Sequence, residues 1–390
     1  MKVAEVFELQ MGKTPARDRL EYWNNGDHEW VSIKDLGAYD KYVGRTKETI
    51  SELGRMESGI KSVPAGTLIM SFKLSLGKAA ITTKETYTNE AIMAFLDKKS
   101  FEIDLNYMWH QFRSKDWGRE TNAAVKGKTL NKKSLGSVEI VVPSIEVQLG
   151  VAAKLDRLLE QIEFARQEER LLDSLVKSQF VEMFGDWQSG YRYELQKLGP
   201  LLSAEPQNGL YKPQKYYVDE GGVPIVRVDA FQTGFIEDFG ALKRLECSRS
   251  EIDIYGLLEN DIVINRVNGS IERVGKVAWI HGLVEPTVFE SNMMRFHVDE
   301  NRLELAYITA FLNSDDIRQQ IKSRARIANQ CSINQGNVMD FDIPLPPLAL
   351  QQQFAAFVAE VDKSRFVARK SAELIMNMQA LDIRPNARLQ

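Results

Sequence analysis

The chain says the same thing twice, and each copy closes on a long amphipathic stretch. Val138-Glu-Ile-Val-Val-Pro-Ser-Ile-Glu-Val-Gln148 is answered by Phe341-Asp-Ile-Pro-Leu-Pro-Pro-Leu-Ala-Leu-Gln351 at an offset of 203 residues, just over half of the 390. Leu130-Asn131 and Ile333-Asn334 keep the same offset. A duplication in which each half ends in a rod constrains the fold to two similar units, each followed by a helix. Function is therefore sought in paired sites.

Four blocks follow from this: a globular unit at 1–143, a helix at 144–184, a second unit at 185–346, and a second helix with its tail at 347–390. Pro143 and Pro346-Pro347 mark the two unit-to-helix junctions. Ser144 is a candidate N-cap, with Glu146 in the first turn where the helix dipole favours an acid. Pro347 suits a first turn, where its missing N–H is not needed. Apolar residues recur at spacings of three and four through Ile145, Leu149, Ala152, Leu155, Leu159, Ile162, Ala165, Leu172, Val176, Phe180 and Met183. The second stripe runs through Phe354, Val358, Val361, Ala368, Ala372, Ile375 and Leu381, interrupted by Arg365. A charge in that seam weakens it or fixes its register. The chain order is unit, rod, unit, rod. A two-fold relation that exchanges the units also reverses the rods, which predicts antiparallel pairing. A helix of about 40 residues is roughly 60 Å long, an upper limit on the separation of the units.

The globular halves match as well. Glu29–Ile33 and Pro224–Val228 read as strands, as do Thr67–Phe72 and Asp261–Arg266. Lys78–Ile81 and Lys276–Ile280 follow, each after a glycine, Gly77 or Gly275. Helices are predicted over Leu105–Arg113 and Leu303–Arg324. The fold class is α+β, made twice, with loops that differ between the copies. A shared scaffold with different loops suits two halves that read different things.

Catalytic signatures fail on inspection. Gly12-Lys13-Thr14 resembles the end of a phosphate loop, but the required glycine five positions earlier is Phe7. No Gly-x-Gly-x-x-Gly follows a strand. His28, His110, His281 and His297 stand apart without metal-ligand spacing and read as surface or packing residues. The two cysteines, Cys247 and Cys331, are too few for a disulfide framework and fit a reducing cytoplasm. No run of eighteen apolar residues predicts a membrane span. A nuclease built on Glu102 and Asp104 lacks the needed acidic-acidic-Lys spacing.

What remains is local charge in a chain of net charge −4. Arg113, Lys115, Arg119, Lys126, Lys128, Lys132 and Lys133 lie together, against only Asp116 and Glu120. The second half answers with Arg318, Lys322, Arg324 and Arg326, then Asn329-Gln330, with no acid from Ile317 to Val338. Lys and Arg neutralise phosphates, while Arg, Asn and Gln read base edges. Recurrence at matching places favours a DNA-facing segment over a merely solvated surface. A second candidate is the loop after the matched strand, with Lys73 in one half and Arg266 and Asn268 in the other. Ordinary turns explain its glycines equally well. Trp109 reads as core, and Trp117 as core or a base-stacking platform.

At these residues the chain resembles the specificity subunit of type I restriction-modification systems. Gly12-Lys-Thr-Pro15, Glu21-Tyr-Trp23 and Glu29–Leu36 resemble the opening of a target recognition domain. Leu175–Asp186 resembles the end of the family's central helix. Gly221–Val228 and Asn334 with Ile343–Pro347 resemble the second recognition domain. The resemblance covers nearly the whole chain. It implies two tandem recognition domains, each reading one half of a split double-stranded DNA sequence, and two helices pairing as an antiparallel coiled coil. Leu155, Leu159, Ile162, Leu172, Val358, Val361 and Ile375 would form that spacer and dock two methyltransferase subunits. The subunit itself would be non-catalytic and without cofactor or metal. S-adenosylmethionine would sit on the methyltransferases, and ATP and Mg on motor-nuclease subunits. A cytoplasmic role in phage defence follows from the same resemblance. The competing class is a coiled-coil scaffold that never touches DNA; it leaves the two matched basic segments unexplained.

Overall fold

The two halves build the same four-stranded antiparallel sheet in the same strand order. In the computed structural model, all residues are described except 24–25, 74, 118–129, 232–233, 237, 328–329 and 383–390, and the side chains of 327 and 376–382. The chain divides into unit 1, Met1–Arg166 with the chain from Lys370 on, and unit 2, Gln167–Arg369.

In unit 1 the sheet order is Phe7–Met11, Ile92–Asp97, Leu68–Ser71, Ala79–Ile81, every pair antiparallel. In unit 2 it is Leu202–Asn208, Met293–Val298, Ile262–Asn265, Val277–Trp279. The central strands Leu68–Ser71 and Ile262–Asn265 are buried along their whole length, so they read as unbroken apolar runs. A second, mixed sheet accompanies each: His28–Val31 pairs parallel with Tyr87–Thr88, and Val223–Val226 with Val288–Phe289. The first of these strands stops at Val31 because Ser32 turns to cap the helix Ile33–Leu36, accepting from the Asp35 N–H at 3.1 Å.

The helix Leu105–Ser114 forms as predicted, but Leu303–Arg324 is not one helix. It breaks into Leu305–Leu312 and Asp315–Arg324. The cause is Asn313, whose side-chain amide binds the backbone N–H and C=O of Val277, each at 3.2 Å. A side chain tied to a neighbouring strand at that point competes with continuation of the helix.

The matched Leu-Asn pairs are helix starts. Asn131 accepts from Ser134 N at 2.8 Å and Asn334 from Asn337 N at 2.9 Å, each closing a capping box. The long helices run Ile145–Phe184 and Leu348–Asp382. Within unit 2 their partner segments run antiparallel: Glu169 meets Arg369, Asp173 meets Arg365 at 2.7 Å, and Phe180 packs on Phe354. Arg365, which interrupts the apolar stripe, is nearly buried and clamped between Asp173 and Asp362. A buried charge persists only when paired, so here it pins the register of the seam.

Each long helix is fastened to its own globular unit by one buried glutamine. Gln148 accepts from the Asp104 N–H at 2.8 Å and donates to the carbonyls of Glu102 at 3.0 Å and Pro143 at 2.8 Å. Gln351 repeats this with the Glu304 N–H at 2.9 Å and the carbonyls of Arg302 at 3.0 Å and Pro346 at 2.8 Å. Both amides are fully buried with acceptor and donors satisfied, which is what makes their burial favourable.

One step further along the helix the halves diverge. In unit 1, Asp156 receives Lys41 Nζ at 2.7 Å and faces His110 Nε2 at 2.7 Å. In unit 2 the corresponding positions are Gly234, Ala310 and Ala359, which line a groove of about 900 Å³. Matched bonds pair Lys41 with Gly234, Ile81 N to Lys41 O and Trp279 N to Gly234 O, both 2.8 Å, while His110 and Ala310 follow Asp104 and Glu304, and Asp156 and Ala359 follow Gln148 and Gln351, at equal spacings.

Candidate nucleic-acid interface

In both halves the chain leaves the central strand, makes a loop, and returns beside the residue before the capping asparagine. Leu130 N donates to Phe72 O at 3.1 Å, and Ile333 N to Arg266 O at 3.0 Å. The described ends of the two candidate segments of each half, far apart in sequence, are therefore neighbours in space. Gly77 and Gly275 close the loop with φ of +83° and +79°; a Cβ there would meet the side chains of Trp117 and Ile321. Positive φ and lack of room together demand glycine.

Unit 2 shows the result most fully. Val267–Asn268, Cys331–Ser332 and Arg326–Ile327 form a small three-stranded antiparallel sheet, with Cys331–Ser332 in the middle. Arg266, Asn268, Arg326 and Gln330 thus gather at one place. Arg326 and Gln330 are exposed, and Arg326 has no acid within ion-pair distance among the described residues. Asn268 turns its Oδ1 to the Ser270 N–H at 3.2 Å. Arg266 donates from Nη1 to Ser291 O at 2.9 Å, while its Nε is buried without a partner among the described residues.

Arg324 differs from Arg326, only two residues away. It is mostly buried and bridges Asp340 and Asp342, both at 3.1 Å, and donates to the Asp340 carbonyl at 3.2 Å. Its charge is largely spent inside the unit. Arg318 is likewise turned inward to the carbonyls of Glu272 and Val274, and burial lowers its pKa. Burial also lowers the pKa of Lys276, helped by repulsion from Arg318 and Arg273.

In unit 1, Lys73 is half-buried with Nζ 5.3 Å from the Phe72 ring. Arg113 lies over Trp109 at 5.0 Å and reaches Asp40 at 3.4 Å. Lys115 donates to Glu139 O at 3.0 Å. Lys132 and Lys133 are exposed at the start of the helix capped by Asn131. Arg119, Lys126 and Lys128, and Asn329 in unit 2, lie outside the described residues. Trp109 and Trp117 are both core: their indoles are buried and donate to Ala79 O at 3.0 Å and Phe112 O at 2.7 Å. Gly12 belongs to no phosphate loop; it lies where a Cβ would strike Thr88 O at 2.2 Å.

Of the spacer candidates, Leu155, Ile162 and Val361 are buried, and Leu159, Leu172, Val358 and Ile375 are half-buried. Leu159 packs against the core of unit 1, and Val358 against that of unit 2. Leu149 of the stripe is exposed, and so are apolar residues that the stripe did not single out, among them Phe164, Leu171, Leu175 and Val181 on the first helix and Phe366, Val367 and Leu374 on the second. Among the described residues, no helix is long and apolar enough to cross a membrane.

The family model for the type I restriction modification DNA specificity domain matches residues 1–173 and again 193–375. The chain is 25% identical over 293 residues to the type I restriction enzyme MjaIX specificity subunit of Methanocaldococcus jannaschii, covering 70% of this chain and 66% of that one. The chain thus spans just under two thirds of that relative's length. In fold, it is similar to the S subunit of a type I restriction-modification system from M. genitalium, with a TM-score of 0.51, 14% identity, and coverage of 98% and 94% of the two chains. A chain solved to explain complex assembly and conformational transition of the type I R-M system gives a TM-score of 0.56 at 14% identity, covering 98% and 95%.

Proposed function

Because this chain belongs to the type I restriction-modification DNA specificity family, we propose that it is a non-catalytic reader of a split duplex DNA target, one half per recognition unit. The observation that carries this is the recurrence, on one scaffold, of a backbone bond that joins the residue after the central strand, Phe72 or Arg266, to the residue before a capping asparagine, Leu130 or Ile333. The order of the four-stranded sheet is shared, while the loops differ between the halves, as a pair of readers with different targets requires.

Phosphates are met by exposed Lys and Arg, including Lys132 and Lys133, while base edges are read from the post-strand sheet. The long helices set the gap between half-sites. Their exposed apolar residues, Phe164, Leu171, Leu175, Phe366 and Val367, dock two methyltransferase subunits, because apolar side chains left in water on a helix gain by burial against a partner. S-adenosylmethionine, ATP and Mg are handled by the methyltransferase and motor-nuclease subunits. With a net charge of −4, the DNA clamp is shared with those partners.

Methylation mapping tests the reading. The chain is co-expressed with its methyltransferase subunit in a host free of DNA methylation, and modified adenines are located by single-molecule sequencing. A single motif of two unlike halves around a fixed gap is the expected result. A stable purified complex that adds no methylation would overturn it in favour of a protein scaffold.

A further inference from the structure

We propose that Val267, Ser332 and Arg326 form a base-reading row in unit 2, with Arg326 selecting a guanine in the major groove of the half-site that this unit contacts. The row rests on the DNA-reading role proposed above and assigns it to particular side chains.

Strand register gives the assignment. Val267 lies opposite Ser332, and Ser332 opposite Arg326, so the three make one row across the small sheet. Asn268 lies opposite Cys331 in the next row. Directly opposed residues share a face, and successive residues along a strand alternate faces. Cys331 is 8% exposed and belongs to the hydrophobic core of unit 2, so its row faces inward. The row of Ser332 therefore faces outward, which agrees with the exposure of Arg326. Asn268, an obvious base-reading residue by type, is on the inward row and has turned its carbonyl to its own loop. The outward row takes its place.

Three strands about 4.8 Å apart make a row roughly 10 Å across, narrow enough for a major groove about 12 Å wide. The chemistry of the row suits base edges. An arginine without an acidic partner among the described residues can donate two parallel hydrogen bonds to guanine O6 and N7; a serine hydroxyl donates or accepts; valine methyls pack on a thymine methyl. The row is also held in place. The Ile333 N–H to Arg266 carbonyl bond continues the sheet beside Val267, and the Arg266 guanidinium is anchored on Ser291 O. A reader fixed in this way loses little freedom on binding.

The test is competition binding by the purified complex of the full chain with its methyltransferase subunit. Competitor duplexes carry each base pair at each position of both half-sites. The wild-type complex should prefer G·C by about ten-fold or more at one position of one half-site. Arg326→Ala should reduce that preference to about two-fold or less, with the other half-site read as before. Ser332→Ala should weaken preference only at the adjacent base pair. If Arg326→Ala abolishes binding, Arg326→Lys decides: it keeps the charge, so a base reader loses the preference while binding remains. Intact preference in Arg326→Lys, or an even loss across all sequences with a shallower salt dependence, identifies a phosphate contact and overturns the row. A wild-type complex with no sequence preference anywhere sinks the DNA reading itself, which separates the two failures.

Discussion

The joint between helix and globular unit is built twice, and the two versions agree in one layer and disagree in the next. Gln148 and Gln351 make the same three hydrogen bonds to equivalent backbone groups. Beyond them, unit 1 fills the space with Lys41, His110 and Asp156, whereas unit 2 leaves Gly234, Ala310 and Ala359 around a groove. The lesson is that the amide anchor is retained where the neighbouring side chains are not. The charged cluster is an addition that one half makes and the other does without.

The strongest challenge to this comparison is Gln148→Leu or Gln351→Leu. Each leaves a buried N–H and two carbonyls unsatisfied and should destabilise its own unit by about 3 kcal/mol. Hydrogen exchange of the peptides around Asp104 and Glu304 reads out which unit loosens, and equal losses in both units would show that the joint is not local. His110→Ala should cost unit 1 about 2 kcal/mol through lost packing and the loss of one of the two partners of Asp156. The reverse change, Ala310→His, enters the groove and should alter stability by less than about 0.5 kcal/mol. Similar effects of the two changes in denaturant melts would mean that the groove is not the open counterpart of the cluster.

A third comparison sets Arg324 against Arg326. Arg324→Ala should lower stability by about 1 kcal/mol, an amount limited by the solvent around Asp340 and Asp342, while Arg326→Ala should leave it within about 0.5 kcal/mol. Equal melting shifts would erase the distinction between an arginine that fastens the unit and one left exposed on it.

The smallest effect is a difference in pH response. Burial outweighs the pull of Asp156 and holds the His110 pKa below its ordinary 6.5. The unfolded chain thus takes up that proton first, and the His110 contribution, present above pH 6.5, is lost as pH falls below it. Asp156 acts in the same sense: burial raises its pKa, but Lys41 and His110 together lower it below 3.8. In unit 2, burial raises the pKa values of Glu304, Asp316 and Asp362. Their contributions are present at acid pH and lost as pH rises through those raised values. Between pH 7.5 and 5, exchange protection should therefore fall in unit 1 relative to unit 2; a uniform change would break the contrast.

Much of the scaffold was legible in the sequence because burial imposes a period. The apolar runs at Leu68–Ser71 and Ile262–Asn265, the long helices and the duplicated junctions all announce themselves. The edge strand Leu202–Asn208 did not. It carries Glu205 and Pro206, and its register shifts twice against Met293–Val298, so no alternation survives. Nor did the break at Asn313, which depends on a strand thirty-six residues away. The candidate interface was legible as a region and not as a set of contacts. Type and charge nominate Asn268 and Arg324, but facing and pairing decide which side chains are available, and both depend on cross-strand register. The same limit hid Ser332 and Val267, whose types attract no notice until the sheet places them beside Arg326.

The glutamine joints have one more consequence. Contacts between protein and DNA phosphates weaken steeply as salt rises. An amide has no net charge to be screened and no proton to lose. Each unit therefore keeps its setting on its own helix at ionic strengths where any contact it made to phosphates would already have slackened.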